Sequence, residues 1–296
     1  MNSDLTFLPI RGIGVRIEMK LDKIGIWSEI KLDIIKEYAN TFTTIMKNKE
    51  WCRGYVYIDA FAGPGVHISR RTGEFIPGSP LNALEIDHAF TEYHYIDIDK
   101  EKAEILNRLT GDRTDVNIYQ GDCNEILTEK ILPSLSYKSY KRALCILDPY
   151  GLHLHWETIV AAAKLRTTEI FLNFPLMDMN RNVLHKDLLD ASPEQIERMN
   201  RFCGSEEWQK ILYREGKNLF GEIYQMKIGG NIKLGNWFRR ERLQKNAGFK
   251  FVPEPVLMRN SRGGPLFLLF FATHNETGEN IVSDIFKKYR KYRKYL

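Results

Sequence analysis

Four aspartates stand where β-rich runs end: Asp59 in YVYIDAFAG (55–63), Asp97 in EYHYIDID (92–99), Asp122 in DVNIYQGD (115–122) and Asp148 in RALCILDPYG (142–151). A carboxylate accepts hydrogen bonds from hydroxyl, amino and amide donors. Ligands of open α/β sheets bind outside the carboxyl ends of the strands. Three of them also have a local role open to them: Asp59 as a turn former, Asp122 as a helix cap, Asp148 as a turn starter before Pro149. Asp99 is read only as the N-cap of the helix that follows it. The other four are read together as ligand residues, because they recur at successive strand ends.

The loop DAFAGPG (59–65) narrows the ligand. Gly63 and Gly65 let the backbone turn tightly and approach a bound group, with Phe61 in the same loop. A dinucleotide fingerprint needs a third glycine three positions after Gly65, where Ile68 stands. Residues 66–78 then delay the next helix, so no helix N-terminus is ready for a pyrophosphate. A nicotinamide nucleotide is disfavoured, and S-adenosylmethionine (SAM), which has no phosphate, is expected. Asp59, Phe61, Gly63 and Gly65 are expected to hold it, with Asp97 accepting from the ribose hydroxyls and Asp122 from the adenine amino group. In PGSP (77–80), Ser79 suits an N-cap and Pro80 the first helical position, and the helix start is a place for the SAM carboxylate.

Candidate acceptor-side residues come later. Asp178, Asn180, Arg181 and Asn182 in FPLMDMNRN (174–182) follow a strand end, as substrate contacts or as the start of a capped helix. Met177 and Met179 read as packing. His153 and His155 follow the DPYG turn, but two imidazoles with no third ligand nearby do not make a metal site. No Ser-His-Asp order, Walker loop or HExxH is present.

The elements that must position these residues alternate. Residues 28–48 carry apolar side chains at helical spacing behind Ser28 as the expected N-cap. Strands over 55–63, 92–99, 115–122, 142–151 and 168–175 are separated by helical stretches near 100–109, 124–135 and 155–165. This βα alternation predicts a parallel sheet covered on both faces. Residues 176–247 read as a polar helical insertion. Runs 249–258 and 265–274 predict a hairpin closing the sheet edge, and a helix near 278–292 follows. The expectation is one domain over 1–296, with its ligand-binding core in 55–175 and the closing hairpin and helix in 249–296.

No apolar run approaches the roughly 20 residues needed to span a bilayer. The N-terminal stretch lacks a signal-peptide pattern, so a cytoplasmic location is expected. Cys52, Cys123, Cys145 and Cys203 fit no CxxC or zinc spacing, and Cys123 and Cys145 read as buried thiols. The net charge of +5 is concentrated. Between 227 and 262 lie Lys227, Lys233, Arg239, Arg240, Arg242, Lys245, Lys250, Arg259 and Arg262 against Glu241 and Glu254. The tail adds Lys287, Lys288, Arg290, Lys291, Arg293 and Lys294, interleaved with Tyr289, Tyr292 and Tyr295. Such runs suit a nucleic-acid surface or a solvated helix end. Arg239, Arg240 and Arg242 are the expected polyanion contacts.

The stretches WSEIKLDIIKEYAN (27–40), YIDAFAGPG (57–65), PGSPLNAL (77–84), YIDIDKEK (95–102), LDPYG (147–151), FPLMDMNRN (174–182) and FVPEPVLMRNSRGGPLFLLFFATHNETG (251–278) together resemble the three-Cys-motif partner (TcmP) family. They span most of the chain in order. The resemblance implies a Rossmann-like class I methyltransferase fold: a mostly parallel seven-stranded sheet with an antiparallel edge hairpin and a helical insertion. It also implies a partner protein carrying three cysteines, which are not this chain's own. The order DAFAGPG, PGSP, DPYG is similar to that of adenine-N6 methyltransferases acting on ribosomal RNA or DNA, whose [DNS]PP[YFW] motif orients the target amino group and stacks on the flipped base. The corresponding residues are Asp148, Pro149 and Tyr150, the expected catalytic set. The second proline is missing and the aromatic comes one place early, a departure that bears on stacking by Tyr150. Asp148 is expected to orient an amino group of RNA or DNA. The competing expectation is an accessory, non-catalytic SAM-binding role beside the three-cysteine partner.

Overall fold

The computed structural model describes residues 6–10, 13–17, 21–217, 220–260 and 262–292. Arg293, Lys294 and Tyr295 of the basic tail lie outside them. The chain divides into two compact units, residues 1–146 with 284–296, and residues 147–283.

In the first unit a hairpin of β1 (Thr6–Ile10) and β2 (Ile13–Ile17) precedes β3 (Lys23–Ile24) and α1 (Ile26–Lys47). The buried positions of α1 include Ile30, Ile34, Ile35, Tyr38, Phe42 and Met46, the three-to-four spacing of one apolar stripe. The helix starts earlier than expected. Gly25 is the N-cap, and its carbonyl accepts from Ser28 N at 2.9 Å, so Ser28 lies inside the first turn.

β4 (Gly54–Asp59), β7 (Glu92–Asp97), β8 (Val116–Gln120) and β9 (Lys141–Leu147) form a parallel set, with β4 between β7 and β9. α3 (Lys100–Thr110) follows β7, and α4 (Cys123–Ile126) follows β8, continuing as a π turn to Ile131 and a 3₁₀ turn to Leu135. Residues 66–78, read only as a delay, fold into β5 (Val66–Ser69) and β6 (Phe75–Pro77), which make a small sheet with β3. α2 (Ser79–Leu84) comes next.

The second unit holds α5 (Trp156–Leu165), β10 (Thr168–Phe174), α6 (Leu176–Asn182), α7 (Pro193–Cys203) and α8 (Glu207–Leu212). Residues 176–247 read as a polar helical insertion with few strand signals, yet β11 (Tyr213–Lys217) and β12 (Ile223–Lys227) pair there as an antiparallel hairpin. Alternation is weak in YREGK and IYQMK, and the hairpin is tied to a segment distant in sequence: Lys227 N donates to Lys186 O at 2.9 Å. α9 (Asn231–Trp237) runs on as a π-helix over Phe238–Asn246. β13 (Val256–Arg259) and β14 (Pro265–Ala272) form the expected closing hairpin, with β14 antiparallel to β10. α10 (Glu276–Tyr292) ends the described chain.

Seven strands make one sheet in the order β13-β14-β10-β9-β4-β7-β8. This is the mostly parallel sheet with an antiparallel edge hairpin. Its inner strands are buried on both faces: every residue of β14 from Phe267 to Ala272 is buried. Among the described residues no helix is long and apolar enough to cross a membrane.

Cys123, Cys145 and Cys203 are buried, and Cys52 is half-buried. Burial, with Asp122 alongside, pushes the Cys123 thiol up to about 12. Burial pushes Cys145 and Cys203 up as well. Only a thiolate attacks a disulfide reagent. Native protein is therefore expected to show one accessible, reagent-reactive thiol, Cys52, and to release the other three only on unfolding. Two or more fast thiols in the native state would contradict this burial.

Candidate functional site

The carboxyl ends of the parallel strands step past one another in a regular way. Asp59 pairs with Tyr95, two residues before Asp97; Asp97 pairs with Gln120, two before Asp122. On the other side Asp59 pairs with Ile146, and the chain reaches Asp148 two residues later.

The loop after β4 is tied down by its own backbone. Ala60 N donates to Ile146 O at 3.0 Å and Ala62 N to Ile96 O at 2.9 Å. Gly63 N donates to Asp97 Oδ2, and Asp99 N to Asp97 Oδ1, each at 2.8 Å. The buried Asp97 carboxylate thus clamps the glycine loop to the end of its own strand, and each oxygen keeps a second lone pair for a ligand donor. Asp59 is fully buried, and its Oδ1 accepts from Phe61 N at 3.2 Å, the turn-former role the sequence left open. Phe61 is half-buried.

Gly63 and Gly65 take left-handed φ of +61° and +80°. A Cβ on Gly65 would lie 2.7 Å from Leu106 Cδ1, so this glycine serves close packing of α3. Gly63 differs. It is buried, yet a Cβ there would meet no atom within 4 Å. A covered backbone facing open space beside a fixed carboxylate is what a polar ligand's close approach requires, and SAM fits that description.

α2 is seated by tyrosines rather than by a side-chain cap. Tyr95 OH donates to Pro80 O at 2.9 Å, and Tyr57 OH to Ser79 O at 3.4 Å. Burial raises both phenol pKa values well above the usual range and keeps these groups neutral donors. Ser79 is the first helical residue, and Gly78, in extended backbone, takes the N-cap position expected for Ser79. Gly78 N also donates to Gly65 O at 2.7 Å, which ties PGSP to the glycine loop. Asp122 is exposed and caps α4, accepting from Asn124 N at 2.7 Å and Asn124 Nδ2 at 2.9 Å. Its local role is the one the structure displays. Asp99 caps α3 as read.

In the second unit the DPYG turn is braced from below. Asn173 Nδ2, at the end of β10, donates to Asp148 Oδ1 at 2.6 Å. The sequence marks Asn173 only as a strand end; the signal available was a lone amide in the apolar run TEIFLNFP. Gly151 has φ +62°, and a Cβ there would press on the Asp178 carboxylate at 3.1–3.3 Å. Asp178 is itself held by Asn182 Nδ2 at 2.9 Å. Asp148, Asn173, Asp178 and Asn182 therefore form one polar bracket around the turn. Pro149 is buried and Tyr150 is 59% exposed. His155 is the N-cap residue of α5.

Other expected contacts fall elsewhere. Asn180 faces a structural network: its Nδ2 donates to Leu176 O at 2.7 Å and Asn231 Oδ1 at 3.1 Å, and its Oδ1 lies 3.4 Å from Lys227 Nζ. Lys227 also donates to Leu184 O at 2.8 Å, and burial lowers its pKa. Arg181 is exposed, Met179 is buried as read, and Met177, read as packing, is exposed. Of the three arginines expected on a polyanion face, Arg240 is exposed and Arg239 half-buried. Arg242 is buried: Nε donates to Cys203 O and Nη2 to Gly204 O, both at 2.8 Å, and the guanidinium lies 4.4 Å from the Trp156 ring centre. It is a core residue, not a surface cation.

No family model matches the chain, and no curated protein matches its sequence. The resemblance to the three-Cys-motif partner family therefore rests on the motifs quoted above. Among solved structures, the chain is similar to a protein of Legionella pneumophila, with 12% identity, TM-score 0.49, and 88% of this chain and 92% of that one covered. It is similar to Trm1 of Pyrococcus horikoshii solved with S-adenosyl-L-methionine, with 12% identity, TM-score 0.43, and 86% and 57% covered. It is also similar to M. jannaschii TYW2 solved with AdoMet, with 12% identity, TM-score 0.39, and 92% and 86% covered. The fold is Rossmann-like, and its own strand order carries that assignment.

Proposed function

We propose that the protein is a SAM-dependent methyltransferase acting on nucleic acid, with an exocyclic amino group such as adenine N6 as acceptor. The observation that carries the cofactor reading is the buried Gly63, open on its Cβ side, beside an Asp97 carboxylate fixed by two backbone N–H groups. Asp97 then accepts from the ribose hydroxyls, and the Gly63 backbone lines the approach. When bound, SAM supplies an activated methyl on its sulfonium, so the protein's work is positioning.

On the acceptor side, Asn173 holds Asp148 so that the carboxylate accepts from the target amino group and aims its lone pair at the methyl. With SAM bound, Asp148 would take the surplus proton of the methylated amino group along that hydrogen bond. Tyr150, exposed at the turn, offers a ring face to the base. The cations offered to phosphates are the exposed Lys233, Arg240 and Arg262; Arg242 is not among them.

Calorimetry with SAM and methyl transfer to total RNA and DNA test the reading. SAM is expected to bind, and transfer to be lost in Asp148→Asn with SAM affinity retained. Binding of nucleic acid is expected to weaken with salt, and alanine at Lys233, Arg240 and Arg262 to flatten the log–log slope by about 2–3 units on duplex. SAM binding with no transfer to either nucleic acid would instead favour the accessory role with a three-cysteine partner.

A further inference from the structure

At the opposite end of the first unit's strands lies a cluster that plays no part in the site above. Three large aromatic residues are exposed there: Trp51 by 42%, Tyr137 by 64% and Tyr140 by 46%. They come from the turn before β4 and from the 3₁₀ turn before β9, two segments brought together because Gly54 and Lys141 pair at the amino ends of these strands. Arg142 lies between two of the rings, 4.4 Å from the Trp51 centroid and 5.0 Å from that of Tyr137. Arg53 lies 5.3 Å from the Tyr140 ring. Among the described residues neither guanidinium has a carboxylate partner: Arg142 Nη1 donates to the carbonyl of Lys141 at 2.8 Å, and Arg53 is exposed. Lys49 and Lys138 flank the cluster, both exposed. Tyr140 holds φ +55°, a left-handed conformation uncommon for a tyrosine, and Arg53 N donates to Tyr140 O at 3.0 Å, fixing the two segments to each other.

We propose that Trp51, Tyr137 and Tyr140 with Arg53 and Arg142 form a docking surface for single-stranded nucleic acid. Exposed rings pre-stacked with unpaired guanidiniums offer bases a π face and phosphates a fixed positive charge, the combination that binds single strands without sequence readout. An apolar partner protein would have no use for two uncompensated guanidiniums, and a simple anion would have no use for three rings. The six residues of β4 separate the surface from Asp59 by about 20 Å at roughly 3.3 Å per residue, so it serves a part of the strand remote from any reacting base.

Trp51 provides the readout, since Trp156, Trp208 and Trp237 are buried and Trp27 is half-buried. Titration of the full chain with oligodeoxythymidylate and oligodeoxyadenylate of about ten nucleotides is expected to quench tryptophan emission, and the quench to vanish in Trp51→Phe. Tyr137→Ala, at a ring too exposed to carry the fold, is expected to weaken binding about fivefold or more, given about 1–3 kcal/mol per stacked base. Arg53→Gln and Arg142→Gln are each expected to flatten the log–log salt slope by about 0.7. Equal affinity of wild type and Tyr137→Ala, or binding of inorganic polyphosphate as tight as that of the oligonucleotides, overturns the proposal. The surface and the methyl-transfer reading fail separately. Quenching must persist in Asp148→Asn, and if wild type methylates nucleic acid while Trp51 does not respond, the surface is refuted and the transfer stands.

Discussion

Asp97→Ala is expected to lower SAM affinity at least tenfold and to destabilise the protein by about 3–6 kcal/mol. The stability figure comes from two charge-assisted hydrogen bonds, to Gly63 N and Asp99 N at 2.8 Å each, at about 1.5–3 kcal/mol apiece. Truncation leaves two donors to find new partners and frees the glycine loop. The affinity figure needs only 1.4 kcal/mol, less than a single lost contact to a ribose hydroxyl. Asp97→Asn separates the two effects. Its amide oxygen can keep one backbone N–H, but its NH₂ group must face the other, so stability recovers in part and affinity does not. Urea midpoints at constant slope, with calorimetry on protein that retains its native circular dichroism, check both. Unchanged SAM affinity in either variant would remove Asp97 from the site.

Arg242→Ala is expected to cost about 3–5 kcal/mol, with little change in nucleic-acid binding by the protein that remains folded. α7 ends at Cys203 with Gly204 in left-handed conformation, and a helix end leaves carbonyls without intrahelical partners. Arg242 supplies two of the missing donors, and its charge suits the negative end of the helix dipole. Removing it strands the Cys203 and Gly204 carbonyls in a buried setting and empties the space over Trp156. Lysine has no planar fork to reach both carbonyls while covering the ring, so Arg242→Lys is expected to restore less than half of the loss. A urea midpoint within experimental error of wild type for Arg242→Ala would show the contact to be dispensable. A flattened salt slope would return Arg242 to the polyanion surface.

The two arginines Arg240 and Arg242 show where reading a sequence stops. In LGNWFRRERLQKN nothing separates them except helical phase, and the π-helix over Phe238–Asn246 alters that phase. The turn puts Arg242 over Trp156, whose ring lies 5.9 Å from that of Phe238, and Phe238 meets Phe174 at 4.7 Å and Phe270 at 5.8 Å in the middle of the second unit. A basic residue there reads as solvent-facing until the distant carbonyls that accept from it are known. Asn173 is a similar case: its chemistry is visible, but its partner Asp148 is 25 positions away.

What the sequence by itself determined rests on local pattern. Apolar runs of strand length alternating with helical spacing dictate a covered parallel sheet, and the observed strands match the expected runs to within about four residues at their ends, except that the run 249–258 pairs only over Val256–Arg259. The acid at each strand end, the paired glycines of DAFAGPG and the N-cap at Asp99 are local features too, since a turn or a cap is made by residues a few positions apart. Only the tertiary structure decided which of these local features are shared between distant segments. It placed Asp97 under Gly63, 34 positions away, and put the N-cap of α2 at Gly78, with Tyr57 and Tyr95 donating to carbonyls of its first turn. It paired β11 with β12 despite their weak alternation, and stacked Trp51, Arg142 and Tyr137 from separate turns. The physical reason is the same throughout: hydrogen bonds and ring contacts are satisfied in space, and a side chain's partner is set by the strand order and register that bring remote segments together.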